Sequence, residues 1–227
     1  MLWLVCLLAI TAYLFVCLVA FVHANGFRLA GVGVVGVQIG ILFEGKGLRL
    51  RVAGIPVTIG PLPLGGSVRS KSLHSGDPAD ETVGGKPFES LPRWRAALIT
   101  IEPFVLLLLG LLMTPWIDPD TVLAVPGHIV AGTLAPRTAA HAMIADYIAM
   151  AAASPAEAMS RIALWLAVLN LLPIPLQPMG NALTLLAAGH DRRFDRWVPV
   201  TSYLGLTILL LACASWGYAL WTYSAAG

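Results

Sequence analysis

Charge is scarce in this sequence. Aspartate, glutamate, lysine and arginine make up 11% of its 227 residues, where an ordinary soluble domain carries about a quarter. Apolar side chains account for 58%, and the mean hydropathy is +0.81. A soluble domain cannot hide so much apolar surface, which excludes that class and leaves an integral membrane protein. With a net charge of only +2, no nucleic-acid partner is expected. Cysteine is nearly missing too. Cys6, Cys17 and Cys213 all lie in apolar runs without metal-type spacing, so they read as small buried residues and exclude a disulfide framework. There is no internal repeat and no low-complexity tail.

What is present is a set of long apolar runs, with room for about four spans at roughly 20 residues each. Residues 2–22 form an unbroken apolar run. No basic residue precedes it and it is longer than the core of a signal peptide, so a retained first span is expected. It ends in His23-Ala24-Asn25-Gly26-Phe27, where Asn25-Gly26 suits a helix cap. His23 at that place is either a structural residue or a ligand.

Residues 31–69 change character. Val34, Val35, Val37, Ile39 and Ile41 are β-formers mixed with glycine, and Leu48-Arg49-Leu50-Arg51-Val52 alternates strictly, which predicts one apolar and one basic face. Residues 70–92 are polar and read as a loop. A second span is expected over 95–116, with Glu102 as the one acid inside a span. An intramembrane carboxyl is costly, so Glu102 is either functional or a protonated or snorkelling acid near the span end. Residues 117–160 read as a second loop carrying one short interfacial helix over 139–153. Ser154 before Pro155-Ala156-Glu157 predicts the N-cap of the next helix.

That helix leads into Asn170-Leu171-Leu172-Pro173-Ile174-Pro175-Leu176-Gln177-Pro178-Met179-Gly180-Asn181. Three prolines in six residues break a helix, because each lacks an N–H and crowds the preceding turn. At membrane depth such a break is tolerated only inside protein or beside a watery cavity. Residues 161–188 are therefore expected to be a broken third span, and 198–223 a fourth, with Trp216, Tyr218, Trp221 and Tyr223 as an aromatic belt. Nine of the fourteen Lys and Arg residues lie between Arg28 and Arg95, and three between Arg192 and Arg196, leaving only Arg137 and Arg161 elsewhere. The positive-inside rule then places the first and third loops in the cytoplasm and both termini outside.

The broken stretch resembles the site-2 proteases, a family of intramembrane zinc metalloproteases. Their third core span carries Asn-x-x-Pro-x-Pro followed by Leu-Asp-Gly. Asn170, Pro173, Pro175 and Gly180 are the remnants of that motif here, while Pro178 stands where the family has its metal-binding Asp and Gln177 stands where it has Leu. The family's first core span ends in His-Glu-x-Gly-His, two zinc-binding His on one helix face with a general base between them. His23 and Gly26 match; Ala24 replaces the Glu and Phe27 the second His. Pro63-Leu64-Gly65-Gly66-Ser67-Val68-Arg69 resembles the family's Pro-Leu-Gly-Gly-x-Val-Lys, which closes a small membrane-associated β-sheet. Pro103 matches a family Gly-Pro-x-x-Asn element in which Glu102 and Leu106 replace Gly and Asn.

The resemblance implies a polytopic α-helical membrane domain over residues 1–227. It would have four transmembrane helices, a small membrane-associated β-sheet between the first and second, and no PDZ domain, since about 40 residues are too few for one. It implies the bacterial inner (cytoplasmic) membrane. It also implies a protein without an intact catalytic site: His23 is the one remaining zinc ligand, so no cofactor is expected. The function implied is binding or regulating a single-span membrane protein or an extended peptide through a sheet edge, with Leu48, Leu50, Gly65 and Gly66 as the candidate contacts. Two alternatives stand beside it. One is an active zinc protease rebuilt from His190, Asp191 and Glu102, with zinc as cofactor. The other is a structural four-helix membrane protein whose own chain covers the sheet edge.

Overall fold

The computed structural model describes residues 2–41, 47–72, 81–175, 177–187 and 197–226. The chain divides into two compact units, a sheet unit of Leu8–Leu107 and a helical unit of Met1–Leu7 with Leu108–Gly227.

In the sheet unit, helix α1 covers Leu2–Leu29. It does not stop at residue 22. Asn25 and Gly26 are interior positions, and the Asn25 amide turns back to donate to the Phe21 carbonyl at 2.8 Å. The helix ends instead in a Schellman motif: Val32 N–H donates to Phe27 O and Gly31 N–H to Arg28 O, both at 2.9 Å. Gly31 takes the left-handed conformation this needs, with φ 78°. The expected cap was misplaced because Asn-Gly and Gly31 are equally good local signals, and continued packing of Phe27 decides between them.

Four strands follow: β1 (Val34–Ile41), β2 (Leu48–Val52), β3 (Ile55–Ile59) and β4 (Leu62–Ser70). Their order in the sheet is β2-β3-β1-β4. β3 runs parallel to β1, while β4 and β2 are antiparallel to their neighbours. β2 and β3 are joined by Ala53-Gly54, with φ 50° and 82°, the pair of positive φ values that the tight hairpin turn demands. One face of the sheet packs on α1. Tyr13 donates its hydroxyl to Gly60 O at 2.7 Å, and Arg28 donates to Ala53 O at 3.0 Å. Helix α2, Arg93–Leu112, begins in this unit, and Phe104 meets Phe15 with ring centroids 6.3 Å apart.

In the helical unit the expected loop over 117–160 is largely helix. Helix α3 covers Pro119–Leu134, a π-turn covers Pro136–Ala140 and helix α4 covers His141–Ala153. The sequence did carry the signal: Asp118 caps α3 by accepting from Thr121 N–H at 2.6 Å, with Pro119 in the first turn. Pro126 lies inside α3, which continues through it. Ile117, Val125, Leu164 and Val168 form the core, with Leu108, Leu111 and Trp165 against it. Helix α5, Pro155–Leu171, is capped by Ser154 as expected, through Glu157 N–H at 3.3 Å. After the break, α6 covers Pro178–Ala187, and α7 covers Trp197–Ala226.

Among the described residues, three helices are long and apolar enough to cross a membrane: Cys6–Leu29, Arg93–Leu112 and Ser202–Ala225. The two halves of the broken element, with 17 and 10 residues, are each shorter than a span. The aromatic belt is also divided. Trp216 and Tyr223 turn inward against Ala140, Ile144 and Ala219, whereas Trp221 is exposed.

Candidate functional site

The face of α1 that carries His23 is built by helical spacing, since residues 23, 26 and 27 share one side at i, i+3 and i+4. The His23 and Phe27 rings stack at 4.7 Å with 21° between their planes. Phe27 is buried and meets Phe88 edge-on at 5.5 Å. At the position where the resemblance places a second zinc ligand, this chain has a packing residue. Ala24 is buried as well, and a methyl group cannot take a proton from water.

Gly26 lies against α2. A Cβ on it would stand 2.6 Å from Oε2 of Glu102, so the carboxyl of Glu102 fills the notch that the missing side chain leaves. Glu102 is half-buried. Among the described residues, no three His, Cys, Asp or Glu side chains converge as a metal-binding group. His23 stacks on Phe27, and the Glu102 carboxyl lies at Gly26 one turn along the same face; these two donors are fewer than the three or four N, O or S ligands that a zinc ion needs. His190 and Asp191 lie outside the described residues.

The remnants in the helical unit have structural work. Asn170 donates to Leu166 O at 2.7 Å, within its own helix. Pro173 and Pro175 lie in the break, where Gln177 N–H donates to Ile174 O at 3.0 Å. Pro178 is the first residue of α6, a place where its missing N–H costs nothing. Gly180 is buried in the same turn, pressed on the Ile174 carbonyl with no room for a side chain.

The sheet has two edges, β2 and β4. In β4, Gly65 has φ 78°, which interrupts the extended backbone. A Cβ on its neighbour Gly66 would come 2.7 Å from Val16 Cγ1, so Gly66 serves the packing of β4 on α1. β2 is regular. Its residues pair as Leu48 with Ile59, Leu50 with Val57 and Val52 with Ile55. Directly opposed residues share a face, so this apolar row continues the face that meets α1. It runs beyond the helix, and Leu48, Leu50 and Val52 are 61%, 43% and 52% exposed. The expected alternating strand is there, and all five of its residues are exposed. In a two-residue hairpin the residues flanking the turn exchange the close hydrogen bonds. It follows that Val52, Leu50 and Leu48 bond to β3, and that Arg49 and Arg51 direct their N–H and C=O groups outward. Among the described residues no strand pairs with that outer side.

A groove of about 340 Å³ runs between α1 and the sheet. Cys17, Ala20, Phe21 and Ala24 form its helix wall, and Asn25 and Arg28 stand toward the C-terminal end of α1. The sequence carried its signal as small residues at 17, 20 and 24 on one helical face, which reads equally well as ordinary helix packing. Compared with known protein families and with curated proteins, the chain matches no family model and no curated sequence.

Proposed function

We propose that this chain is a non-catalytic membrane protein of site-2-protease-like organisation that holds an extended peptide segment along the outer edge of β2. The observation that carries the reading is that edge: five regular residues with outward main-chain groups at Arg49 and Arg51, beside an exposed apolar row. A bound peptide would gain main-chain hydrogen bonds from the edge and side-chain contacts from Leu48 and Leu50. The His23 face supports the non-catalytic half of the reading, since Ala24 cannot take a proton and Phe27 cannot bind a metal. The topology that goes with it has four spans, the broken element being the third. The twelve-to-two distribution of Lys and Arg supports a cytoplasmic sheet and termini outside, in a bacterial inner membrane.

The test uses proline as a donor knockout. Proline is tolerated in an edge strand where its N–H would face outward. Arg49→Pro and Arg51→Pro therefore remove the outward donors and leave the pairing with β3 in place. A photo-crosslinker at Leu50 reports on peptide capture in membranes. Capture that falls in both proline variants and persists in Arg49→Ala and Arg51→Ala supports the reading. Capture that survives both prolines rules this edge out.

A further inference from the structure

We infer that the groove between α1 and the sheet holds an acyl chain of an anionic phospholipid, with the lipid phosphate on Arg28. The lining is apolar almost throughout: Phe21, Ala20 and Ala24 on the helix side, Val37, Ile39 and Val57 on the sheet side. The helix wall belongs to a candidate membrane span, Cys6–Leu29, so acyl chains are the material next to it. Small side chains at 17, 20 and 24 leave a channel along the helix axis, which suits a linear chain more than a globular side chain. Polarity enters only toward one end. Asn25 and Arg28 stand there, in the last two turns of α1, and Arg28 is exposed. One of its donors is spent on Ala53 O at 3.0 Å; a guanidinium has five N–H donors in all, so it can hold a phosphate without letting go of the turn. A cation at the end of an apolar channel matches a ligand with an anionic head and a hydrocarbon tail. The exposed row of Leu48, Leu50 and Val52 on the same sheet face extends the apolar wall toward the surrounding lipid. This inference concerns the helix-facing groove, whereas the peptide reading rests on the outward main-chain groups of β2; the two share only the side chains of Leu48 and Leu50.

The test is native mass spectrometry of the full chain released from micelles doped with phosphatidylglycerol or phosphatidylcholine of equal chain length. One lipid per chain is expected to survive release, with phosphatidylglycerol preferred about fivefold, the preference of a single Arg for an anionic surface. Arg28→Gln keeps a donor for Ala53 O but removes the charge, and should erase the preference; Arg28→Lys should keep it. Ala24→Leu fills the groove and should abolish retention of both lipids. If that variant fails to fold, a chain-length series on the wild type replaces it, and retention should fall as the chain is shortened. Equal retention of the two lipids, an unchanged preference in Arg28→Gln, or indifference to both Ala24→Leu and chain length overturns the inference. So does displacement of the lipid by an apolar peptide that takes its place one for one.

Discussion

The carboxyl of Glu102 occupies the space that a side chain on Gly26 would need, 2.6 Å from the position of its Cβ. The two residues are therefore one packing unit, and a change at either is felt at the other.

Gly26→Ala should be close to neutral: the atom in the way is the far end of the flexible Glu102 side chain, and moving it aside offsets the preference for alanine inside a helix. In a Glu102→Ala background nothing has to move, and the same substitution should stabilise by about 1 kcal/mol, the preference for alanine over glycine inside a helix. Unfolding of the wild type, both single variants and the double variant in detergent measures the coupling directly. Additive effects would show that the notch is not shared.

Phe27→Ala should cost about 3–5 kcal/mol, the range for truncating a buried aromatic. The ring holds both the His23 stack and the edge contact with Phe88. Thermal unfolding reads this out. A neutral result would mean that position 27 is kept for something other than packing.

The purified protein should carry no stoichiometric zinc. Elemental analysis decides the point. About one zinc per chain, lost on His23→Ala, would mean that donors beyond those described complete a site and would revive the protease reading.

Cysteine labelling tests the topology. In a background without Cys6, Cys17 and Cys213, a cysteine at Ser72 should react only after the membrane is opened, and one at Thr133 should react in intact cells. The reverse pattern would invert the proposed orientation.

Asp118 predicts an acid-sensitive helix end. The Thr121 N–H bond, first among its causes, holds the carboxyl below its ordinary value of 3.8. A carboxyl depressed in the folded state contributes stability that is complete above its ordinary value and is lost as pH falls through the lowered one. Asp118→Asn keeps the cap without titrating. Helical circular dichroism over the acid range should therefore show a loss in the wild type that is smaller in the asparagine variant.

Much of this fold was legible in the residues. The proline-rich break announced itself because proline has few places to go, and Pro178 took one of them, the first turn of α6. The alternation of Leu48 to Val52 gave β2, and Ser154 gave the start of α5. Three features escaped. The end of α1 lies seven residues beyond the first run, because Phe27 is held by tertiary packing that no local signal reports. Helix α3 was read as part of a loop, although Asp118-Pro119 marked its start. The notch between Gly26 and Glu102 joins residues far apart in sequence, and spacing alone cannot bring them together. The resemblance at His23 and Asn170 rests on residues that here have ordinary packing and hydrogen-bonding partners.

Ala53 has φ 50°, a conformation that alanine avoids at a cost of about 1–2 kcal/mol. Its carbonyl is tied to Arg28 at the end of α1. The hairpin that carries β2 is thus fastened to the last turn of α1, so a movement of that helix end is passed to the open edge through a single hydrogen bond.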